Sequence, residues 1–183
     1  MKVKLVETEE ELKGIILLQQ QNLKNNISGT EAEKEGFLTA EYTLEYLKYL
    51  HKSHPSVIAT ENNAVVGYAL AAEKTSGLKH DLLADLILTV NNLEYKGQNL
   101  EKEDYIVVGQ LCVGKAHRGK GLVSLMYNKF RASLQQQYRY CITDIAENNP
   151  RSLNAHLKTG FKVLDRLIYG GIVWNIVIWD WTE

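Results

Sequence analysis

Residues 105–130 read Tyr-Ile-Val-Val-Gly-Gln-Leu-Cys-Val-Gly-Lys-Ala-His-Arg-Gly-Lys-Gly-Leu-Val-Ser-Leu-Met-Tyr-Asn-Lys-Phe. The first nine, Tyr105 to Val113, are apolar and β-branched enough to predict a buried strand. Leu122, Met126, Phe130 and Leu134 recur at four-residue spacing, which predicts one apolar stripe of a helix. Between them stands Arg118-Gly119-Lys120-Gly121, a basic, glycine-bearing turn at the point where the helix should start. A helix start leaves backbone N–H groups unpaired and carries a partial positive charge. Glycines let a ligand approach that backbone closely, and Arg118 and Lys120 add full charges. Strand, basic glycine turn and helix together predict a phosphate site.

Two readings of the turn are open. Residues 114–121 follow a Walker A loop, Gly-x-x-x-x-Gly-Lys-(Ser or Thr), up to its last position, where Gly121 has no hydroxyl to hold magnesium. The loop also stands late in the chain, whereas Walker loops follow a first strand. Ile142-Thr143-Asp144 would supply a Walker B end, and the reading would then be a degenerate P-loop phosphotransferase. The other pattern is (Gln or Arg)-x-x-Gly-x-(Gly or Ala), with Arg118, Gly121 and Val123 on its marked positions. Val123 departs from it but still offers its N–H. That pattern is similar to the acetyl-CoA loop of the GNAT superfamily of N-acetyltransferases.

The chain of 183 residues suits one domain with a sizeable core. Hydrophobic residues make 45% and charged residues 23%, a globular balance that argues against disorder. Lys+Arg 21 against Asp+Glu 22 gives a formal net charge of -1, which argues against a nucleic-acid surface. The positive charge of residues 115–120 is local and suits one small polyanion. Cys112 and Cys141 fall inside apolar strand patterns and read as reduced core residues. Without an apolar signal core or a run of membrane-spanning length, the expectation is a soluble, cytoplasmic protein with no membrane partner.

In chain order, residues 2–6 alternate as a strand, and Thr8-Glu9-Glu10-Glu11 is a capping box ahead of a helix striped by Leu12, Ile15, Ile16 and Leu23 to about Asn22. Residues 25–35 are polar and aperiodic and read as a loop. Thr39 is the expected cap of a second helix, with Leu44, Leu47 and Leu50 inward, ending before Pro55. Tyr42, Tyr46 and Tyr49 are placed on it, either padding the core edge or walling an acceptor pocket. Strands over 56–60 and 64–72 are joined across Glu61-Asn62-Asn63. An insertion at about residues 73–104 holds a helix over 78–90 and a hairpin turning at Lys96-Gly97, and is expected to border the acceptor site. A strand over 138–145, a helix over 149–159 and strands over 161–169 and 172–181 around Gly170-Gly171 complete a mixed, twisted α/β sheet with helices on both faces.

The segment Asn149-Pro150-Arg151-Ser152-Leu153-Asn154-Ala155-His156-Leu157-Lys158-Thr159-Gly160-Phe161 selects between the two readings. It resembles the late GNAT motif Asn-x-x-(Ala or Ser)-x-x-x-(Tyr or His)-x-x-x-Gly-Phe, one strand downstream of the Arg118 loop. Its Ser-and-His form is most similar to the phosphinothricin-acetyltransferase-like and ribosomal-protein-acetyltransferase-like branches. Val65-Val66-Gly67-Tyr68-Ala69 also resembles the family's third strand.

The resemblance implies a mostly antiparallel sheet with a splayed parallel central pair, and direct acetyl transfer in a ternary complex without a metal. It implies that backbone groups of Leu111, Cys112 and Val113 hold the pantetheine and aim one N–H at the thioester oxygen. Backbone amides of Arg118, Gly119, Lys120, Gly121, Leu122 and Val123 take the pyrophosphate, and Asn149 and Ser152 touch the pantetheine arm. His156 stands where many relatives carry a tyrosine that protonates the leaving CoA thiolate. A histidine near its ordinary pKa of about 6.5 suits that role; packing against the coenzyme is the other one. Nothing in the sequence places a base beside Cys112, so it is not expected to be a nucleophile. The general base is Asp144, Glu147 or water. The expected acceptor is a primary amine of a small molecule or peptide, and the protein a monomer or homodimer. The rival to an acetyltransferase is a non-catalytic CoA-binding or sensing protein.

Overall fold

A seven-stranded sheet frames the computed structural model, which describes residues 1–26 and 37–183. Its first strands are β1 (Lys2–Leu5), β2 (Val57–Glu61) and β3 (Ala64–Ala72). A separate hairpin of β4 (Glu94–Tyr95) and β5 (Gln98–Asn99) follows. Then come β6 (Tyr105–Val113), β7 (Tyr140–Ala146), β8 (Lys162–Tyr169) and β9 (Ile172–Asp180). The strand order is β1-β2-β3-β6-β7-β9-β8. β6 and β7 run parallel, while β1–β2, β2–β3, β7–β9 and β8–β9 are antiparallel. Six α-helices occur among the described residues: α1 (Glu9–Gln20), α2 (Leu44–Ser53), α3 (Lys74–Gly77), α4 (Asp81–Asn91), α5 (Leu122–Leu134) and α6 (Pro150–Thr159). This is the mixed α/β sheet that the order of elements predicts, and it is mostly antiparallel with one parallel pair, as the family resemblance implies. None of the helices is long and apolar enough to cross a membrane.

The chain packs as two compact units. The first comprises Met1–Ala71 and Gln110–Ala132. Its α1 starts at the expected capping box: Thr8 Oγ1 accepts the Glu11 N–H at 3.3 Å, and Glu11 Oε2 accepts the Thr8 N–H at 3.2 Å. Leu12, Ile15 and Leu18 face inward, and the helix stops at Gln20, so Leu23 lies outside it in a bridge to Leu38. α2 starts four residues later than expected, with Thr43 rather than Thr39 as its cap. The reason is tertiary. Buried Gln19 donates to Tyr42 O and accepts the Tyr42 N–H, both at 3.0 Å, which pins residue 42 outside the helix. Tyr42 is therefore a buried residue ahead of α2, although its ring still stacks on Tyr46 at 5.5 Å and Tyr46 on Tyr49 at 6.3 Å. Residues 25 and 26 close a short 3₁₀ turn, and residues 27–35 of the expected loop lie outside the described residues. At Gly67 an added Cβ would stand 3.2 Å from Cys112 O and Met126 Sδ and 3.3 Å from Leu122 Cδ2. That glycine lets α5 seat closely on β3.

The second unit comprises Ala72–Gly109 and Ser133–Glu183. Its parallel register covers Tyr105↔Tyr140, Ile106↔Cys141 and Val107↔Ile142, and the next carbonyl, Val108 O, accepts from Thr143 Oγ1 at 2.8 Å. β7 pairs with β9 along its whole length, from Tyr140↔Asp180 to Ala146↔Trp174. The insertion is woven into this core. Its α4 begins at Asp81, after the short α3, and buries Leu83, Leu86, Ile87 and Val90 completely. Those four side chains contribute roughly 6–12 kcal/mol of gross transfer free energy. Lys74 Nζ donates to the carbonyls of Leu100, Glu101 and Glu103 and lies 4.2 Å over the Tyr105 ring. The β4–β5 hairpin turns at Lys96 and Gly97, both at positive φ, and Lys96 Nζ reaches Asp180 at 2.7 Å and Glu183 at 2.6 Å. Both cysteines are free and buried.

Candidate functional site

The residues expected to take the pyrophosphate, Arg118 to Val123, stand in the first unit. After β6, the Gly114 N–H donates to Val66 O at 2.8 Å, and a 3₁₀ turn over Lys115–His117 leads to Arg118. Gly119 and Gly121 follow at φ +75° and +74°, with nothing within 4 Å of a Cβ added at either. Positive φ is open to glycine at little cost, and α5 then begins with its first-turn amides unpaired by construction. Among the described residues, no hydrogen bond engages the amides of residues 119–123. The Arg118 amide differs from that set, because it donates to Lys115 O at 3.4 Å.

The side chains divide differently from the amides. Lys120 is exposed, and Leu122 is a core residue whose contribution at the loop is its backbone. Arg118 does not stretch into solvent as a free cation. Its Nε donates to Val113 O at 3.0 Å and its Nη2 to Asn22 Oδ1 at 2.6 Å. His117 Nε2 lies 2.9 Å from Glu61 Oε2. Leu111 and Val113 are half-buried at the end of β6, and Cys112 between them is buried. Burial pushes the Cys112 thiol up to about 12, so it holds its proton at neutral pH and offers no thiolate.

Asn149, Ser152, His156 and Asp144 stand in the second unit. Asn149 caps α6, its Oδ1 accepting the Ser152 N–H at 3.3 Å, with Pro150 in the first helical position. His156, 2% exposed, has its Nδ1 2.8 Å from Ser152 O. A carbonyl can only accept, so the ring proton of neutral His156 sits on Nδ1. Burial lowers its pKa to about 4, which corrects the expectation of an ordinary histidine: at pH 7 the imidazole is neutral. Its ring stands edge-on to Phe161 at 5.2 Å. Gly160 ends the helix at φ +121°, where a Cβ would meet Trp179 Nε1 at 2.8 Å, so both the turn and the indole require glycine there.

The two acidic candidates separate clearly. Glu147 is exposed, 3.5 Å from Arg166. Asp144 keeps some surface, yet its Oδ2 is buried without a hydrogen-bond partner, and burial pushes its pKa up to about 7. No group of three or more His, Cys, Asp or Glu side chains placed for a metal ion occurs among the described residues. Asn22 is the polar residue that sequence reasoning passed over. Its partner Arg118 lies 96 positions away, so no local pattern could mark it.

Comparison with known proteins bears on this arrangement. The profile of the acetyltransferase (GNAT) family matches residues 26–161. The chain matches no curated protein. Solved structures share the fold at low identity. One is the NatC complex bound to Gag peptide and CoA, at 14% identity over 98% of this chain and 97% of that one, with a TM-score of 0.66. Another is yncA of Salmonella typhimurium with its cofactor acetyl-CoA, at 14% identity over 100% and 95%, TM-score 0.64. A third is the ribosomal-protein-alanine N-acetyltransferase of Brucella melitensis, at 15% identity over 98% and 99%, TM-score 0.63.

Proposed function

Since the chain belongs to the GNAT acetyltransferase family, we propose that it is a cytoplasmic enzyme moving the acetyl group of acetyl-CoA to a primary amine of a small molecule or peptide, by direct attack in a ternary complex. One observation carries the coenzyme half of this reading: at the start of α5, beside two positive-φ glycines, no hydrogen bond among the described residues engages the amides of residues 119–123. That is a cradle for a pyrophosphate. The match of the family profile sets aside the P-loop alternative, as does the missing hydroxyl at Gly121.

The chemistry asks three things of the chain. The amine must lose a proton before it attacks the thioester carbonyl. Asp144 fits that role better than Glu147, because a carboxyl with a pKa of about 7 is both available and basic enough at neutral pH. The oxyanion that forms takes a backbone N–H from among Leu111, Cys112 and Val113. The departing thiolate takes up a proton. His156 is neutral at rest and donates its Nδ1 proton to Ser152 O, so as an acid it must first accept at Nε2 the second proton, which the nitrogen sheds after it has attacked, then pass that proton to the sulfur. Asn149 and Ser152 stay assigned to the pantetheine arm.

The test is thiol release from acetyl-CoA across a panel of primary amines and peptides with free N-termini, with acetyl-CoA binding followed by calorimetry. Release with at least one amine, and an acetylated product by mass, is expected. Binding without release across the panel would favour a CoA sensor. Magnesium-dependent nucleotide binding in place of CoA would overturn the reading altogether.

A further inference from the structure

Asn22 lies just past the end of α1, 6% exposed, with every polar group of its side chain and backbone in use. Its Nδ2 donates to Leu18 O at 2.8 Å, which fixes the amide orientation and turns Oδ1 toward Arg118 Nη2 at 2.6 Å. Its backbone N–H donates to Gln19 O and its carbonyl accepts the Leu38 N–H, each at 2.9 Å. Lys24 N–H returns to Leu38 O, also at 2.9 Å. Arg118 completes the bridge by donating from Nε to Val113 O. A guanidinium is a planar fork, so two acceptors in fixed positions hold it in one orientation.

We infer that Asn22 is a positioning residue of the coenzyme loop, acting through Arg118; this rests on the assignment of that loop to acetyl-CoA. The guanidinium is a strut between the end of β6 and the end of α1. It anchors the residue immediately before Gly119, where the backbone turns to positive φ. Two glycines in four residues make this backbone permissive. Without an anchor, the loop spreads over conformations in which its amides do not converge. Coenzyme affinity then falls with the fraction of molecules that hold the cradle. The strut also separates two roles for Arg118. If its charge on a phosphate is what matters, lysine substitutes for it. If the fork matters, lysine does not.

The experiment measures CoA and acetyl-CoA affinity by calorimetry on wild type, Asn22→Ala, Asn22→Asp, Arg118→Lys, Arg118→Ala and the double variant Asn22→Ala/Arg118→Ala. Asn22→Ala is expected to weaken binding about tenfold to a hundredfold, the range for hydrogen bonds to a charged group. Asn22→Asp keeps the acceptor and should retain most of the affinity. Arg118→Lys should lose affinity although its charge is kept, and the double variant should be no weaker than Arg118→Ala alone. The KM of the amine should not move. Wild-type affinity in both Asn22→Ala and Arg118→Lys overturns the inference, as do losses that multiply in the double variant. Should Asn22→Ala fail to fold, Arg118→Lys against wild type decides the matter alone. A wild-type protein that binds no CoA would overturn the coenzyme assignment itself, a different result from binding that ignores Asn22.

Discussion

Burial shifts Asp144 and His156 in opposite directions, the carboxyl up to about 7 and the imidazole down to about 4, because in each case it disfavours the charged form. If Asp144 is the base, Asp144→Asn should lower turnover by about 10²–10⁴-fold and abolish the rise of rate with pH near 7. The same substitution should stabilise the protein at pH 8. The wild type must hold a carboxylate there against its burial, while the amide carries no charge, a difference on the order of 1–4 kcal/mol. A fully active Asp144→Asn enzyme with its pH limb intact would remove Asp144 from the mechanism. For His156, the relay predicts that His156→Phe loses rate within the same range while acetyl-CoA affinity is kept, and that His156→Tyr recovers part of it. A resting imidazolium acid would also show kcat/KM falling above pH 6.5. A histidine kept neutral by burial predicts no such fall. An unchanged rate in His156→Phe would leave His156 with packing alone.

At the scale of elements, the loop and the hairpin call for different tests. Gly121→Ala adds only left-handed strain, about 1–2 kcal/mol, since no atom lies within 4 Å of the new Cβ. Gly121→Glu adds bulk and negative charge as well, and should abolish acetyl-CoA binding while the alanine variant keeps a measurable share of it. Equal affinity in the two would show that the phosphates lie elsewhere. The hairpin needs more care than its sequence suggests. Leu100 is fully buried, and removing Lys96 leaves the buried Asp180 carboxylate with Thr182 as its one side-chain-directed donor among the described residues. Breaking the pair from the lysine side leaves a buried carboxylate without its cation and destabilises the fold. Replacing residues 94–99 by a short turn should therefore be done together with Asp180→Asn. The folded variant is expected to change amine selectivity and keep acetyl-CoA affinity; unaltered selectivity would detach the hairpin from the acceptor site.

For the molecule as a whole, the two buried groups predict how stability depends on pH. His156 has its folded pKa below the unfolded value of about 6.5, so its contribution is present above pH 6.5 and is lost as pH falls toward 4. Asp144 has its folded pKa raised, so its contribution is present below about pH 4 and is lost as pH rises toward 7. Between pH 4 and 6.5 the two slopes oppose each other and the wild type should show a flat melting temperature. Asp144→Asn should lose stability on acidification through that window, and His156→Phe should gain it. Parallel curves in all three proteins would show that neither group is buried as described. Much of this molecule was legible in its sequence because the relevant signals are local. The period of Leu122, Met126, Phe130 and Leu134, the capping box at Thr8, the asparagine turn at 62–63 and the glycine turn at 119–121 each depend on residues a few positions apart. They determined the order of elements and the mixed sheet, and they mark the turn proposed here as a phosphate cradle. Other features depended on partners distant in the chain. Gln19 delays α2 by holding Tyr42 across 23 positions, and Asn22 holds Arg118 across 96. The pKa values of Asp144 and His156 follow from desolvation, which no run of letters displays. Packing alone made His156 neutral at pH 7 and Asp144 poised to titrate there.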